Sequence, residues 1–156
     1  MLRALGFLFL VLIVAAGVAV GILYHQDRQA REFATRAIPV VFEHYDHEAM
    51  MRRTIRELHN EDYTEGSRQM MQTFRQYLGP LESSGPLEGW IEYGRVDPSL
   101  PRSFFAKYTA PAKFKGGKGT LLLVVVKQDG AWRIGGFRVD SPALFDAMRK
   151  QSSSTT

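Results

Sequence analysis

The sequence predicts an α+β fold in which an N-terminal transmembrane helix is followed by helices packed on a curved antiparallel sheet. Three observations support this prediction. Residues 4–23 form an apolar run without a charge. Residues 25–78 carry apolar side chains at helical spacing, and from residue 87 onward the apolar side chains alternate as in strands. A chain with helices first and strands afterwards is typical of a domain with helices on one face of an antiparallel sheet.

The apolar run predicts a membrane anchor within residues 1–24. At 1.5 Å per residue its helix is about 30 Å long, which matches the hydrocarbon thickness of a bilayer. A cleaved signal peptide is the alternative, but the run is longer than the usual apolar region of about 7–15 residues. Arg3 precedes the run, and Arg28, Arg31 and Arg36 follow it, so the charge count does not favour export of the C-terminal domain. The very short N-terminal tail nevertheless favours a domain on the outer side.

Gly17 and Gly21 form a G-x-x-x-G pattern within the anchor. Glycines at this spacing allow two membrane helices to approach closely and dimerise. We therefore take both as candidate helix-dimer contacts. Glycine is common in membrane helices in general, so the pattern is compatible with a monomer as well.

Residues 25–42 predict an amphipathic juxtamembrane helix, because their apolar positions follow an i, i+3/i+4 stripe. Pro39 cannot donate a backbone hydrogen bond, which predicts a kink or break near residues 37–38. A second helix is expected at 48–59. A third is expected to begin near Asp62, with Asp62 and Glu65 as a capping pair, and to end before Gly79.

The strand region begins after a predicted loop at residues 82–86. Strands are expected at 87–96 and 104–114, and Pro111 places its half of the second strand at an edge or bulge. A short helix at 143–150, capped by Ser141, would complete a domain at 43–150, and residues 151–156 read as a disordered tail.

The clearest strand signal is a pair of apolar runs on either side of Asp129 and Gly130. This pair favours a type I′ turn, in which both central residues have positive φ, and a two-residue turn fixes the register of the hairpin. The apolar positions change parity at Gly135 and Gly136. One extra residue there would bulge the strand and bring Phe137 back to the earlier apolar face, which predicts a long, bent hairpin.

Composition sets broad limits on function. The chain has 156 residues, a net charge of +4 and no cysteine, which excludes disulfides, thiolate catalysis and cysteine-ligated metals. The basic residues are scattered along the chain, which argues against nucleic-acid binding.

Two polar segments invite a chemical interpretation, and neither supports one. His44, His47 and Glu48 have helical ligand spacing but no nearby third histidine, so a solvated helix face is the better interpretation. The glycine-rich segment 115–120 departs from the phosphate-loop pattern and precedes a strand, so we interpret it as a hairpin loop. We predict no catalytic, cofactor-binding or metal-binding residue.

Several turn and core motifs together resemble a known domain type. They are Leu78-Gly79-Pro80-Leu81, Phe114-x-x-Gly117, Asp129-Gly130-x-Trp132-x-Ile134 and Gly136-Phe137-x-Val139. Residues 43–141 resemble the cystatin-like domains of unknown function, which are similar to the nuclear-transport-factor-like α+β roll. The resemblance implies a cone-like roll whose curved sheet wraps a helix, often dimeric and often exported or membrane-tethered.

Two main functions remain open from the sequence, and a third, a minor pilin-like subunit, would need cleavage after Gly6. The favoured one is a non-enzymatic binding or assembly module at the bacterial cell envelope, anchored by a single span in the inner membrane, with its C-terminal domain periplasmic or otherwise extracytoplasmic. Its expected partners are the lipid bilayer and a second copy or another envelope protein. The alternative is a roll whose cavity, lined by Tyr93, Tyr108 and Trp132, binds or isomerises a small apolar ligand.

Overall fold

The computed structural model describes residues 2–153, with the side chains of residues 10–147, 149 and 150. Its longest element is helix α1, Leu2–Ile38, which runs without a break from the predicted anchor into the domain. By length and composition, α1 can cross a membrane. Side chains 10–25 are exposed, whereas the side chains of Ala30, Ala34 and Ala37 are at most 1% exposed. One helix thus has a free apolar part and a part packed in the core.

The α-helical hydrogen bonding of α1 ends at the predicted place. A π-helical turn, Pro39–Glu43, follows Ile38, with the His44 amide donating to the Pro39 carbonyl at 2.9 Å. Pro39 has no amide hydrogen with which to continue the α-helical pattern, and the wider turn replaces it. The turn buries Val41 and Phe42 completely.

Two shorter helices precede the sheet, α2 at His47–Met51 and α3 at Glu61–Tyr77. The predicted capping pair Asp62 and Glu65 is wrong. Asn60 is the N-cap of α3, and its side chain accepts a hydrogen bond from the Tyr63 amide at 2.8 Å. Asn at this position satisfies one of the free amides of the first turn, which leaves Asp62 as a favourable charge inside that turn.

Five strands form one antiparallel sheet: β1 Leu81–Ser84, β2 Ile91–Gly94, β3 Ser103–Phe114, β4 Gly117–Gln128 and β5 Ala131–Asp140. The order is β1-β3-β4-β5, and β2 also pairs with β3. Strand β1 corrects the predicted loop at 82–86; its register with β3 places Ser84 opposite Ala112. Strand β2 is shorter than the predicted 87–96. Pro111 lies in the part of β3 between the residues that pair with β1 and those that pair with β2. Its carbonyl accepts a hydrogen bond from the Gly85 amide.

The hairpin of β4 and β5 has the predicted turn and the predicted bulge. Asp129 and Gly130 have φ values of 50° and 79°. Val125 pairs with Ile134 but Val124 pairs with Gly136, so Gly135 is the additional residue. Beyond the bulge Phe137 returns to the buried face. A bulge of this kind bends the strand and increases its local twist.

The bulge gives a stability prediction with a matched control. A methyl group added at Gly135 would lie 2.7 Å from Cγ2 of Val126, whereas one added at Gly136 meets nothing within 4 Å. Because overpacking forces neighbouring side chains to move, we expect Gly135→Ala to lower the free energy of unfolding by about 1–2 kcal/mol. Gly136→Ala should change it by less than about 0.5 kcal/mol. Thermal denaturation of the two variants in detergent micelles checks this, and equal melting temperatures would contradict it.

The predicted helix at 48–59 is confirmed only for residues 48–51, which belong to α2, because the chain then leaves α2 to cover the outer edge of β5. The Ile134 amide donates to the Arg53 carbonyl at 2.7 Å, and the Ile55 amide donates to the Ile134 carbonyl at 3.0 Å. A 3-10 turn, Arg56–Leu58, follows. Pairing of this short segment removes a free strand edge that could otherwise pair with another chain.

Apolar side chains pack on both faces of the sheet. Helices α1 and α3 cover one face, which we call the helix-covered face, and its core includes Phe42, Phe74 and Phe137 with edge-to-face ring contacts. A smaller cluster of Ile55, Phe105 and Val126 lies on the opposite face. The sheet is therefore buried most deeply beneath the helices.

The last described element is helix α4, Pro142–Ser153, which is longer than the predicted helix at 143–150. The Ser141 hydroxyl donates to the Lys118 carbonyl at 2.9 Å instead of capping the helix. The predicted disordered tail at 151–156 is therefore wrong for residues 151–153, and residues 154–156 lie outside the described residues.

Candidate functional site: the junction of the apolar helix and the sheet

Small side chains on one side of α1 allow the helix to lie directly on the sheet. Ala30, Ala34 and Ala37 are spaced by four and three residues, so they share one face of the helix. All three are buried, and α1 contacts β2, β3, β4 and β5. The helix that leaves the apolar segment is therefore a central part of the core.

Arg31 connects α1 to the chain between β1 and β2. Its Nη1 donates to the Leu87 carbonyl at 2.9 Å and its Nη2 donates to the Gly89 carbonyl. Its Nε donates to the Asp27 carboxylate at 2.7 Å, and the two side chains are 37% and 26% exposed. The planar guanidinium thus uses all three of its nitrogens, which fixes both its position and its plane.

Tyr108 of β3 completes this cluster from the sheet side. Its ring lies under the Arg31 guanidinium at 5.0 Å, and its hydroxyl donates to Asp27 Oδ1 at 3.2 Å. Burial raises the pKa of the Tyr108 phenol well above its usual range, and the charge of Asp27 adds to this effect. The phenol therefore stays protonated at neutral pH and can keep donating to the carboxylate.

A second contact joins the same end of α1 to the hairpin. The Lys127 ammonium donates to the side-chain carbonyl of Gln26 and lies 5.9 Å from the centre of the Trp132 ring. Trp132 is 8% exposed, and its Nε1 has no hydrogen-bond partner among the described residues. Gln26 and Asp27 are neighbours, so the first turn of α1 beyond Tyr24 and His25 is held at two strands.

We call the five side chains Gln26, Asp27, Arg31, Tyr108 and Lys127 the junction cluster. Its charged and polar groups are paired with one another or with backbone carbonyls. Groups arranged in this way hold two elements in one orientation. The cluster therefore holds α1 in one orientation against the rest of the α+β domain.

The residues predicted to line a cavity do not come together as one site. Tyr108 and Trp132 are buried in the core of the helix-covered face. Tyr93 lies across from Phe104 with ring centres 5.1 Å apart, but its side chain is 62% exposed at the edge of the sheet. The space between α1 and the sheet at Tyr108 is occupied by Arg31 and Asp27.

Gly17 and Gly21 lie in the exposed part of α1, and a methyl group added at either one meets nothing within 4 Å. Both positions are therefore open to a second helix. The structure contains one chain, so the predicted dimer contact stays a prediction.

The two polar segments considered in the sequence have structural partners. The His47 Nε2 lies 2.9 Å from the Ser67 hydroxyl and links α2 to α3. In the glycine-rich segment, the amides of Lys115 and Gly116 donate to the carbonyls of Pro80 and Leu78. These contacts fasten the β3–β4 turn to the connection that follows α3.

The junction cluster was missed by the sequence analysis, although two signals pointed to it. Asp27 and Arg31 have the i, i+4 spacing of a helical ion pair, and Lys127 is the one charge next to the apolar run of β4. Comparison of the chain with family models, curated proteins and solved structures finds no match. What the cluster does must therefore be argued from its own geometry.

Proposed function

We propose that this chain is a membrane-anchored, non-enzymatic binding or assembly module that holds its α+β domain at a fixed orientation beside the bilayer. One observation carries the proposal: helix α1 passes without a break from an exposed apolar segment into the core, and the junction cluster fixes it there. A flexible linker would let the domain rotate freely. A continuous helix instead presents the same faces of the domain to every partner in the membrane plane.

Three finer expectations belong to this proposal. The apolar helix is proposed to be a single span in the inner membrane of a bacterial envelope, with the domain on the periplasmic or extracytoplasmic side. A helix packed against a bent antiparallel sheet supports kinship in architecture with the cystatin-like and nuclear-transport-factor-like rolls. A second copy or another envelope protein is the proposed protein partner.

The alternative, a roll whose cavity binds or isomerises a small apolar ligand, has less support. Such a cavity would lie between the sheet and α1, where Tyr108 and Ile134 are fully buried against the helices. A ligand would have to displace α1 from the junction cluster before it could enter.

The proposed self-association gives a testable prediction at Gly17 and Gly21. Replacing both with leucine should separate two close helices, because the larger side chains prevent backbone contact. The double variant should lose at least about tenfold in dimer affinity, equivalent to 1.4 kcal/mol. Native mass spectrometry of the full chain in detergent measures the dimer fraction.

Ala19→Leu is the matched control for this experiment. Ala19 lies about 200° around the helix from Gly17, so the substitution adds similar bulk on the opposite side. It should leave the dimer fraction unchanged. A wild-type chain that is monomeric at every concentration, without a co-purifying protein, would count against the proposed assembly role.

A further inference from the structure

Exposed aromatic side chains are concentrated near one end of the domain. Beyond the apolar segment, the large hydrophobic side chains exposed among the described residues are Tyr24 at 73%, Trp90 at 72%, Tyr93 at 62% and Phe145 at 63%. Single exposed apolar residues are ordinary on a protein surface. Three of these four, however, lie beside the junction cluster, where α1 leaves its apolar part.

Contacts along α1 establish which end of the sheet faces the apolar segment. Asp27 contacts Tyr108 of β3, whereas the later turn Pro39–Glu43 contacts β1, which pairs with the C-terminal end of β3. The N-terminal end of β3 therefore points back toward the apolar segment. Strand β2 pairs with that end, and Tyr93 lies opposite Phe104.

Simple distances place these aromatic residues at the level where the apolar run ends. From Asp27 back to Leu23 the helix descends about 6 Å. From Tyr108 back to Phe104 the strand covers about 13 Å, which corresponds to a descent of about 9 Å for a strand at 45° to the helix. The pairing of Ile91 with Ala106 brings Trp90 beside Lys107, one residue from Tyr108.

Trp90 thus lies near the first turn above Leu23, and Tyr93 lies farther along the sheet in the direction of the apolar run. The polar layer of a bilayer is about 5–8 Å thick on each side of its hydrocarbon core. Tryptophan and tyrosine are enriched in this layer because an apolar ring and a polar group are both accommodated there. Its depth and chemistry suit both side chains.

We infer, on the basis of the proposed anchor, that this end of the domain rests on the lipid headgroups, with Trp90 and Tyr93 inserted among them. We call Tyr24, Trp90 and Tyr93 with the exposed Arg95 and Arg102 the membrane-facing rim. The domain then has two attachments to the bilayer, the spanning helix and the rim. Together they restrict tilt as well as distance.

Charge at the rim is mixed, which defines the kind of lipid required. The acidic Glu92 and Asp97 are exposed beside the basic Arg95 and Arg102. Because these two acidic side chains offset the two arginines of the rim, the attraction between this surface and anionic lipids is weak. Rim contact therefore depends on the aromatic rings and forms on zwitterionic phosphatidylcholine.

The two tryptophans of the chain allow a direct test. Trp132→Phe leaves Trp90 as the only tryptophan. No acceptor loses a hydrogen bond through this substitution, because Trp132 Nε1 has no partner among the described residues. The full chain is reconstituted in phosphatidylcholine vesicles with and without a nitroxide on the headgroup. We expect the nitroxide to quench Trp90 about twofold or more, because quenching requires the ring to lie in the headgroup layer.

A control probe lies at the far end of the domain. Phe145 of α4 follows the distal end of β5 and is 63% exposed. In a chain that also carries Trp90→Phe and Trp132→Phe, the tryptophan introduced by Phe145→Trp should not be quenched. If Trp132→Phe unfolds the domain, the difference in quenching between the wild type and Trp90→Phe gives the same information.

Flotation of the vesicles separates the possible failures. Protein that does not float with the vesicles would overturn the proposed anchor and the rim contact together. Protein that floats while Trp90 is quenched no more than the distal probe would overturn the rim contact alone. Trp90 shielded from the nitroxide but crosslinked to a second chain would assign the rim to a protein partner instead of lipid.

Discussion

Replacing Arg31 with methionine is expected to lower the free energy of unfolding by about 2 kcal/mol and to loosen α1 from the sheet. Methionine keeps most of the apolar stem, so the packing of the helix is little changed. The substitution removes the donors to the Leu87 and Gly89 carbonyls and the charge that pairs with Asp27. Arg31 is 37% exposed, so water partly replaces these contacts and the loss stays below that of a fully buried ion pair.

Two measurements check the Arg31 prediction. Denaturant unfolding in detergent micelles, followed by tryptophan fluorescence, gives the change in stability. Hydrogen exchange should also become faster at the amides of Glu88 and Thr109, which hydrogen-bond to each other's carbonyls beside the Arg31 contacts. Faster exchange there shows that the loss is located at the junction.

Arg28→Met is the matched control, because Arg28 forms an i, i+4 ion pair with Glu32 on the same helix. Its side chain and that of Glu32 are 72% and 50% exposed. Exposed pairs of this kind contribute little, and the change should stay below about 0.5 kcal/mol. If Arg28→Met and Arg31→Met have the same effect, the junction cluster has no greater role than a surface ion pair.

The parts of the fold that the sequence predicted correctly are those whose signals are local. The turn at Asp129 and Gly130 and the bulge at Gly135 depend on residues within a few positions of each other. The change of helix type at Pro39 likewise follows from one missing amide. Such features are specified before any distant part of the chain is considered.

The parts that the sequence did not predict depend on distant partners. Strand β1 has one buried side chain, Leu81, so its sequence shows no alternation of apolar and polar residues. It forms a strand only because it pairs with the edge of β3. Residues 53–55 leave a helical pattern because β5 offers a free edge. In both cases tertiary pairing overrides local propensity.

The candidate site shows the same limit more clearly. Asp27 and Arg31 could be read as a helical pair, but two of the Arg31 acceptors are backbone carbonyls more than fifty residues away. Every residue has a backbone carbonyl, so the sequence does not indicate which carbonyls Arg31 binds. Only the folded chain shows these two contacts. Tyr93 illustrates the reverse case: its aromatic ring suggested a cavity, and its place at the end of β2 leaves it exposed.

Gly89→Ala is expected to lower the free energy of unfolding by about 3 kcal/mol or more. This is the largest effect expected of any added methyl group considered. Gly89 has a φ of 133°, a conformation that residues with a Cβ rarely adopt. The added methyl would lie 2.2 Å from the Lys107 carbonyl oxygen, which belongs to the backbone of β3 and cannot turn away. The chain must therefore move off the sheet at the point where Arg31 binds the Gly89 carbonyl.

Gly94→Ala in β2 is the control for Gly89→Ala. A methyl group there meets Phe105 at 3.6 Å, an ordinary contact, and Gly94 is not among the positive-φ glycines of the described chain. The free energy of unfolding of the control should lie within about 0.5 kcal/mol of the wild-type value, as is usual for a substitution that causes no clash. Denaturant unfolding measures both variants under the same conditions.

Combining Gly89→Ala with Arg31→Met tests whether the two residues act together. If the alanine already displaces the carbonyl that Arg31 binds, the second substitution removes less than it does in the wild type. We therefore expect the double variant to lose about 1 kcal/mol less free energy of unfolding than the sum of the two single losses. Such non-additivity is usual for neighbouring residues in one hydrogen-bond network. Losses that add within about 0.3 kcal/mol would show instead that the strained glycine and the arginine stabilise the junction independently. In that case Arg31 would hold α1 through the Leu87 carbonyl and the Tyr108 ring, independently of the Gly89 carbonyl.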